Sequence, residues 1–260
     1  MTATDHQFRP LILIPCYNPG GRIDITVRDA VAQADCPVWI VDDGSGPATR
    51  ERLTALAAEL ETVRVLRHEQ NRGKGAAVLT GLKAAREEGF THALTMDADG
   101  QHPAAAIPDF LATSRQQPDA LILGRPVFDD DAPALRVQGR KISNFWADLE
   151  TLWAGIGDSL FGFRVYPVDA LLAVMGQTRW MRRFDFDPEA AVRLAWRGLP
   201  LVNVDTPVRY FDAEEDGVSH FRYWRDNRLL IWMHLRLLAG FTARLPRLIA
   251  GRLRKRRVAG

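Results

Sequence analysis

Five short apolar runs, each ending in turn-forming or polar residues and separated by helix-length stretches, set the fold of roughly the first half of the chain. They are Leu11-Ile12-Leu13-Ile14, Val38-Trp39-Ile40-Val41, Val63 to Leu66, Ala93-Leu94-Thr95-Met96 and Ala120-Leu121-Ile122-Leu123. Runs of this length read as strands, Leu11-Ile12-Leu13-Ile14 as a buried one. Between them, helices are expected up to about Ala34, over 47–60, over Gly73–Glu88 and after Pro103. Strand–helix repetition of this kind predicts an α/β fold with a mostly parallel sheet covered on both sides. In such sheets ligands bind beyond the carboxyl ends of the strands. Those ends carry Tyr17, Asn18, Asp42, Asp43, Asp97, Asp99 and Arg125, so a site is expected along that edge.

The second half is more mixed. Helices are predicted over 134–155 and 187–197, and strands over 159–166, Leu199–Val204 and Val208–Phe211. Asp212 to Gly217 reads as an acidic loop. No internal repeat or low-complexity linker divides the chain, so one domain over 1–220 and a tail over 221–260 are expected. With 260 residues, 47% hydrophobic and 25% charged, the chain can bury a core without cross-links, which excludes a disordered or disulfide-stapled class. Cys16 and Cys36 lack metal-site spacing and suit a reducing, cytosolic compartment. Met1 to Pro10 is polar, so no signal peptide is expected.

Three segments carry candidate chemistry. Asp97-Ala98-Asp99 sets two carboxylates close together at a strand end. Like charges this near are costly unless a cation joins them, and a hard divalent ion that also holds a diphosphate fits. Gln101 offers a further neutral oxygen; the plainer alternative is that Asp99 caps the next helix. Asp42-Asp43-Gly44-Ser45 can accept hydrogen bonds from a base or ribose, or can simply form an Asx turn. Asn71-Arg72-Gly73-Lys74-Gly75 opens a helix whose N–H groups suit phosphate, without the spacing of a P-loop.

In order along the chain, Ile14-Pro15-Cys16-Tyr17-Asn18, Val41-Asp42-Asp43-Gly44-Ser45, Asn71-x-Gly73-Lys74-Gly75-x-Ala77 and Met96-Asp97-Ala98-Asp99-Gly100-Gln101-His102-Pro103 resemble the family 2 glycosyltransferases of GT-A fold. The likeness is to their polyprenyl-phosphate, dolichol-phosphate mannose synthase-like branch, and it covers about residues 10–225. It implies inverting transfer of a hexose from a UDP- or GDP-sugar to a lipid-linked acceptor. Pro15, Tyr17, Asn18, Asp42 and Asp43 would line the nucleotide pocket, with Lys74, Asp97 and Arg125 also on the donor side. Asp97, Asp99 and Gln101 would hold Mg²⁺ or Mn²⁺ against the diphosphate. Asp97, Asp99, Asp187 and Glu189 would be the catalytic carboxylates.

On the acceptor side, Arg136, Arg140 and Asn144 recur at i, i+4 and i+8 and share a helical face, either solvated or a cationic wall for phosphate. Asp158-Ser159-Leu160-Phe161-Gly162-Phe163-Arg164 resembles the family's acceptor-shaping segment. Asp187, followed by Pro188, could instead cap a helix. Where the branch has Gly-x-Ser-Lys to grip phosphate, this chain has Gly217-Val218-Ser219-His220. Histidine is only partly charged near neutrality. A hydroxyl acceptor would need a base, and Asp185, Asp187, Glu189 and His220 are the candidates. A non-catalytic membrane adaptor that kept the fold is the reading from a different class.

The charge is uneven. Nine Lys/Arg and no acid follow Asp226, while residues 1–226 carry 25 basic and 32 acidic groups. Leu229 to Phe241 is too short and too charged to span a bilayer, and Pro246 is expected to kink or end a helix. Aromatic and aliphatic residues flanked by arginine suit an amphipathic helix on the anionic cytoplasmic face of a membrane. The plainer alternative is a helix packed on the body with a solvated basic end. No nucleic-acid module accompanies the arginines, so nucleic acid is not an expected partner.

Overall fold

The computed structural model describes residues 8–127, 134–208 and 223–258, without the side chains of 134–137, 223 and 254–258. Its strands are β1 (Pro10–Cys16), β2 (Val38–Asp42), β3 (Val63–Arg67), β4 (His92–Thr95), β5 (Leu121–Val127), β6 (Arg164–Pro167) and β7 (Leu201–Pro207). Its α-helices are α1 (Arg22–Gln33), α2 (Pro47–Glu59), α3 (Lys74–Glu87), α4 (Ile107–Gln116), α5 (Ala134–Glu150), α6 (Val168–Gly176), α7 (Phe186–Trp196) and α8 (Tyr223–Val258). One seven-stranded sheet runs β3-β2-β1-β4-β6-β5-β7. Every pairing is parallel except those of β6, which lies antiparallel between β4 and β5.

Side chains on a strand alternate between faces, and here both faces are buried. Leu11 and Leu13 of β1 join Trp39 and Val41 of β2 on the face covered by α3, α6, α7 and α8. Ile12, Ile14, Val38 and Ile40 point the other way, onto α1, α2 and α4. This is why the runs read as continuously apolar.

The structure differs from the sequence expectations at several places, and the helix expected over 134–155 ends at Glu150. The strand expected over 159–166 is confined to Arg164–Pro167. Asp158 Oδ1 accepts hydrogen bonds from the N–H groups of Leu160 (2.9 Å) and Phe161 (2.8 Å), and this local turn replaces the ladder. α6 fills the apolar stretch that follows β6. β7 continues to Pro207 because it pairs with β5 as far as Val127, while residues 209–211 of the expected next strand lie outside the described residues. α8 continues through Pro246, which is exposed together with Thr242, so water can reach the carbonyl left without a donor.

Candidate active site

The loops after β1 and β2 are joined edge to edge. Asn18, at φ 44°, accepts from Gly46 N through Oδ1 (2.9 Å), and its own N–H donates to Ser45 Oγ (3.0 Å). Asp42 is buried, accepts from Ser45 N through Oδ1 (2.9 Å), and keeps Oδ2 without a hydrogen-bond partner, 3.8 Å from Arg67 Nε. Pro15 and Tyr17 flank this locus, both half-buried. Asp43 has a different job. Its carboxylate accepts from Arg72 N (2.8 Å), Gly73 N (2.6 Å) and His68 Nδ1 (2.7 Å), and so pins the start of α3 to the end of β2. His68 Nε2 lies 2.9 Å from Thr80 Oγ1, which fixes the ring from its other side.

That anchoring places Lys74, the first residue of α3. Its Nζ lies 2.6 Å from Asp97 Oδ1 and 2.7 Å from Asp187 Oδ2. Burial works against the ammonium, but Asp187 and Asp97 more than offset it and raise its pKa. Burial likewise opposes ionisation of Asp97, yet Lys74 and His102 hold its carboxyl below the usual range. Gly162 packs against this cluster: a Cβ there would stand 2.6 Å from Lys74 Nζ, 3.3 Å from Asp187 Oδ1 and 3.4 Å from Asp97 Oδ2. Glycine at 162 is therefore what lets the three charged groups close together.

Asp99 is not a helix cap. Its Oδ1 accepts from Gln101 N (3.0 Å) in a local turn, and the next regular helix, α4, begins only at Ile107. Burial and the neighbouring Asp97 push its pKa up. His102 Nδ1 accepts from Asp97 N (2.9 Å) while its ring packs against Phe161 and Phe163. Burial pushes the His102 pKa down, in keeping with a ring whose Nδ1 serves as an acceptor. Among the described residues no cluster of three His, Cys, Asp or Glu gathers that could hold a metal alone. Asp99 and Gln101 nonetheless offer hard oxygen donors, a set that suits Mg²⁺ or Mn²⁺ when a diphosphate supplies further oxygens.

The two other expected catalytic carboxylates are both buried in α7. Asp187 shares Lys74 through Oδ2, and its Oδ1 is enclosed with no hydrogen-bond partner among the described residues. It lies inside the first turn rather than at the cap, which is Asp185. Glu189 is closed off: Oε1 accepts from Arg193 Nε (2.8 Å) and Oε2 from Arg236 Nη2 (2.8 Å). A carboxylate held by two guanidinium groups is poorly placed to take a proton from an acceptor.

The residues assigned to the acceptor side gather around a single turn. Arg140 Nε lies 3.5 Å from Asp158 Oδ2, and Asn144 Oδ1 accepts from Ser159 N (2.8 Å) and Ser159 Oγ (2.7 Å). Arg164 is fully buried and donates to the carbonyls of Asp158 (3.1 Å), Ser159 (2.7 Å) and Asp187 (2.5 Å). It shapes this wall from inside the protein rather than facing solvent. Arg125 forms a two-point exposed pair with Asp205 of β7, at 2.5 and 2.8 Å. The side chain of Arg136, and all of Ser219 and His220, lie outside the described residues.

Sequence reasoning did not give His102, Gly162 and Arg236 roles of their own. The first two stand within quoted motifs; Arg236, in the tail, carries no local signal. α8 packs on the body through Met233, Leu237 and Phe241, and His234 Nδ1 lies 3.0 Å from Glu150 Oε1 on α5. Its far side exposes Trp224, Arg228, Ile231, Trp232 and Leu235. No helix among the described residues is long and apolar enough to cross a membrane.

Comparison with known proteins bears on the family and the fold. Undecaprenyl-phosphate mannosyltransferase of Micrococcus luteus is 29% identical over 221 residues, covering 79% of this chain and 85% of that protein. A UDP-N-acetylglucosamine–dolichyl-phosphate N-acetylglucosaminyltransferase of Methanococcus voltae is 28% identical over 196 residues, covering 70% and 78%. Among solved structures, glucosyl-3-phosphoglycerate synthase from Mycobacterium tuberculosis, in complex with Mn²⁺, UDP and glucosyl-3-phosphoglycerate, superposes with a TM-score of 0.65. It shares 17% identity and covers 90% of this chain and 80% of that one, a likeness of GT-A fold. The model of the family described as "Glycosyl transferase family 2" matches residues 11–174, and the chain belongs to that family.

Proposed function

We propose that this glycosyltransferase moves a hexose from a UDP- or GDP-sugar to a polyprenyl phosphate, with inversion at the anomeric carbon. The observation that carries the acceptor class is the state of the α7 carboxylates. Asp187 commits one oxygen to Lys74 and encloses the other, and Glu189 is held by Arg193 and Arg236. Neither is poised to deprotonate a hydroxyl, and Asp185 is taken up by the N–H groups of Met181 and Arg183. A phosphate acceptor is already ionised and needs no base, while His220, the fourth candidate, lies outside the described residues. The names of the Micrococcus and Methanococcus relatives, both acting on polyprenyl-type phosphates, point the same way.

In this reading Pro15, Tyr17, Asn18 and Asp42 receive the base and ribose, while Asp43 sets the Gly73–Lys74 corner by which the donor lies. Lys74 and Asp97 fix the floor beneath the sugar–phosphate bond. Asp99 and Gln101 would hold Mg²⁺ or Mn²⁺, which supplies Lewis-acid stabilisation of the departing nucleoside diphosphate. An acceptor phosphate oxygen attacks the anomeric carbon from the opposite face; the new C–O bond forms as the bond to the diphosphate breaks. Arg140, Asn144 and the buried Arg164 hold the Asp158–Ser159 wall beside the acceptor. The exposed face of α8, apolar with Arg228 among its residues and continuing into a basic end, rests on anionic lipid and brings the site to its acceptor. This reading has the protein peripheral on the cytoplasmic face, and the exposed apolar side of α8 beside Arg228 is what supports it.

The test incubates purified protein with labelled UDP- and GDP-sugars, Mg²⁺ or Mn²⁺ and polyprenyl phosphate. Label in the organic phase that mild acid releases is the expected result. Acid-stable label would mean a hydroxyl acceptor, and the base would then be sought at Asp187 after a rearrangement of Lys74.

A further inference from the structure

Arg236 lies on α8, yet its contacts converge on the turn that presents Asp187. Its Nη2 donates to Glu189 Oε2 (2.8 Å) and stands 3.7 Å from Asp185 Oδ2. Its guanidinium lies over the Trp180 ring at 4.2 Å, and Trp180 in turn meets Trp232 edge-on. Asp185 accepts from Met181 N (3.0 Å, Oδ2) and Arg183 N (3.0 Å, Oδ1), which shapes a loop where Met181 is held at φ 63°. That loop braces the start of α3. Arg182 O accepts from Ala76 N (3.0 Å), and the carbonyls of Arg182 and Met181 press so closely on Gly73 and Gly75 that neither position has room for a Cβ. Lys74 stands between those two glycines.

We infer that Arg236 is a positioning residue for the transfer reaction: from the C-terminal helix it fixes the first turn of α7 and the 181–185 loop, and through them the meeting of Asp187 with Lys74. The inference rests on the function proposed above for this site. Asp185, Asp187 and Glu189 are all buried within one turn of one another; Lys74, Arg193 and Arg236 pair with their carboxylates, and Arg164 and Arg182 add positive charge nearby. Without Arg236, Glu189 keeps Arg193 alone and Asp185 keeps only backbone donors. The turn then has a reason to shift, and small displacements of catalytic groups cost rate steeply. Arg244 supplies the control. It also stacks on a tryptophan of the body (Trp196, 4.8 Å), but it donates to Gly240 O within α8 and meets no carboxylate among the described residues.

The experiment compares full-length wild type with Arg236→Met, Arg236→Lys and Arg244→Met, by kcat, donor KM and hydrogen exchange over 73–77 and 181–189. Arg236→Met should lower kcat about tenfold or more with donor KM within about threefold, and Arg236→Lys should recover part of the loss. Arg244→Met should stay within about twofold of wild type, because it removes a docking contact without freeing an acid. Equal losses in Arg236→Met and Arg244→Met would overturn the inference, since they would reflect docking of α8 in general. An unchanged kcat in Arg236→Met would also overturn it. If Arg236→Met does not fold, Arg236→Lys decides: a few-fold drop in kcat supports the inference, and an unchanged kcat overturns it. If the wild type transfers no sugar from any donor, the proposed function fails, and exchange judges the coupling by itself. Faster exchange at 73–77 in the Arg236 variant but not in Arg244→Met supports it; unchanged exchange overturns it.

Discussion

Gly162 lies so close to Lys74 that a methyl group built at position 162 would stand 2.6 Å from the ammonium nitrogen. The obstructed group is the far end of a flexible side chain, so the fold can yield while the charge cluster cannot keep its spacing. Gly162→Ala should therefore fold, with Tm within a few degrees of wild type, and should lower transfer by about 10²-fold because Lys74 is displaced from Asp97 and Asp187. Steady-state kinetics beside a thermal melt would check this; full activity would mean that the cluster plays no part in turnover.

Among the described residues Asp99 accepts one hydrogen bond, from the backbone N–H of Gln101, and its acidity is weakened by burial and by Asp97. It supports little of the local structure. Asp99→Ala should leave the protein folded and reduce transfer by at least about 10²-fold, and raising Mn²⁺ or Mg²⁺ should not restore it. Circular dichroism and a metal titration of activity separate the two effects.

Asp43 tells the opposite story. Three donors converge on one buried carboxylate, from Arg72, Gly73 and His68. An amide cannot accept from all of them and turns an N–H toward at least one. Asp43→Asn should cost about 1–3 kcal/mol of stability, measured as a lower urea midpoint at unchanged slope.

Glu150 carries a pH signature. Burial raises its pKa above the ordinary glutamate range, His234 pulls it partly back, and the charge of Glu189 adds to the rise. A raised folded-state pKa means that the folded form favours the proton. This contribution to stability is complete below the unfolded-state value and is lost as pH rises through the folded one. Glu150→Gln keeps an acceptor for His234 and removes the charge. Its Tm should exceed that of wild type at pH 7 to 8, and the two should converge toward pH 4; parallel curves across that range would contradict the assignment.

The parallel strands and the edge that holds the polar residues were legible because the central strands β1, β2 and β4 are buried on both faces and end at turns. Asp97 and Asp99 were legible for the same reason, as charges placed where an apolar run stops. What sequence could not give was pairing at a distance. Lys74 is 23 residues from Asp97 and 113 from Asp187, and no local pattern announces that one ammonium serves both. Asp42 and Asp43 are neighbours in sequence and read alike, yet alternation along the strand end sends them to different tasks. Pro246 misled because its local cost is real, but the helix around it is already anchored upstream by Met233, Leu237 and Phe241.

The reversed direction of β6 has a consequence for how such a site can diversify. The loops after β1, β2 and β4 leave the sheet at this edge, whereas the 151–163 segment enters it there, because β6 runs against its neighbours. One rim is thus made of exits and the other of an approach. Residues can be added or removed between α5 and Asp158 while the exit loops keep their mutual ties through Asn18, Gly46 and Asp43. A scaffold of this kind can hold its exit loops constant while the approaching segment is recut to a different shape.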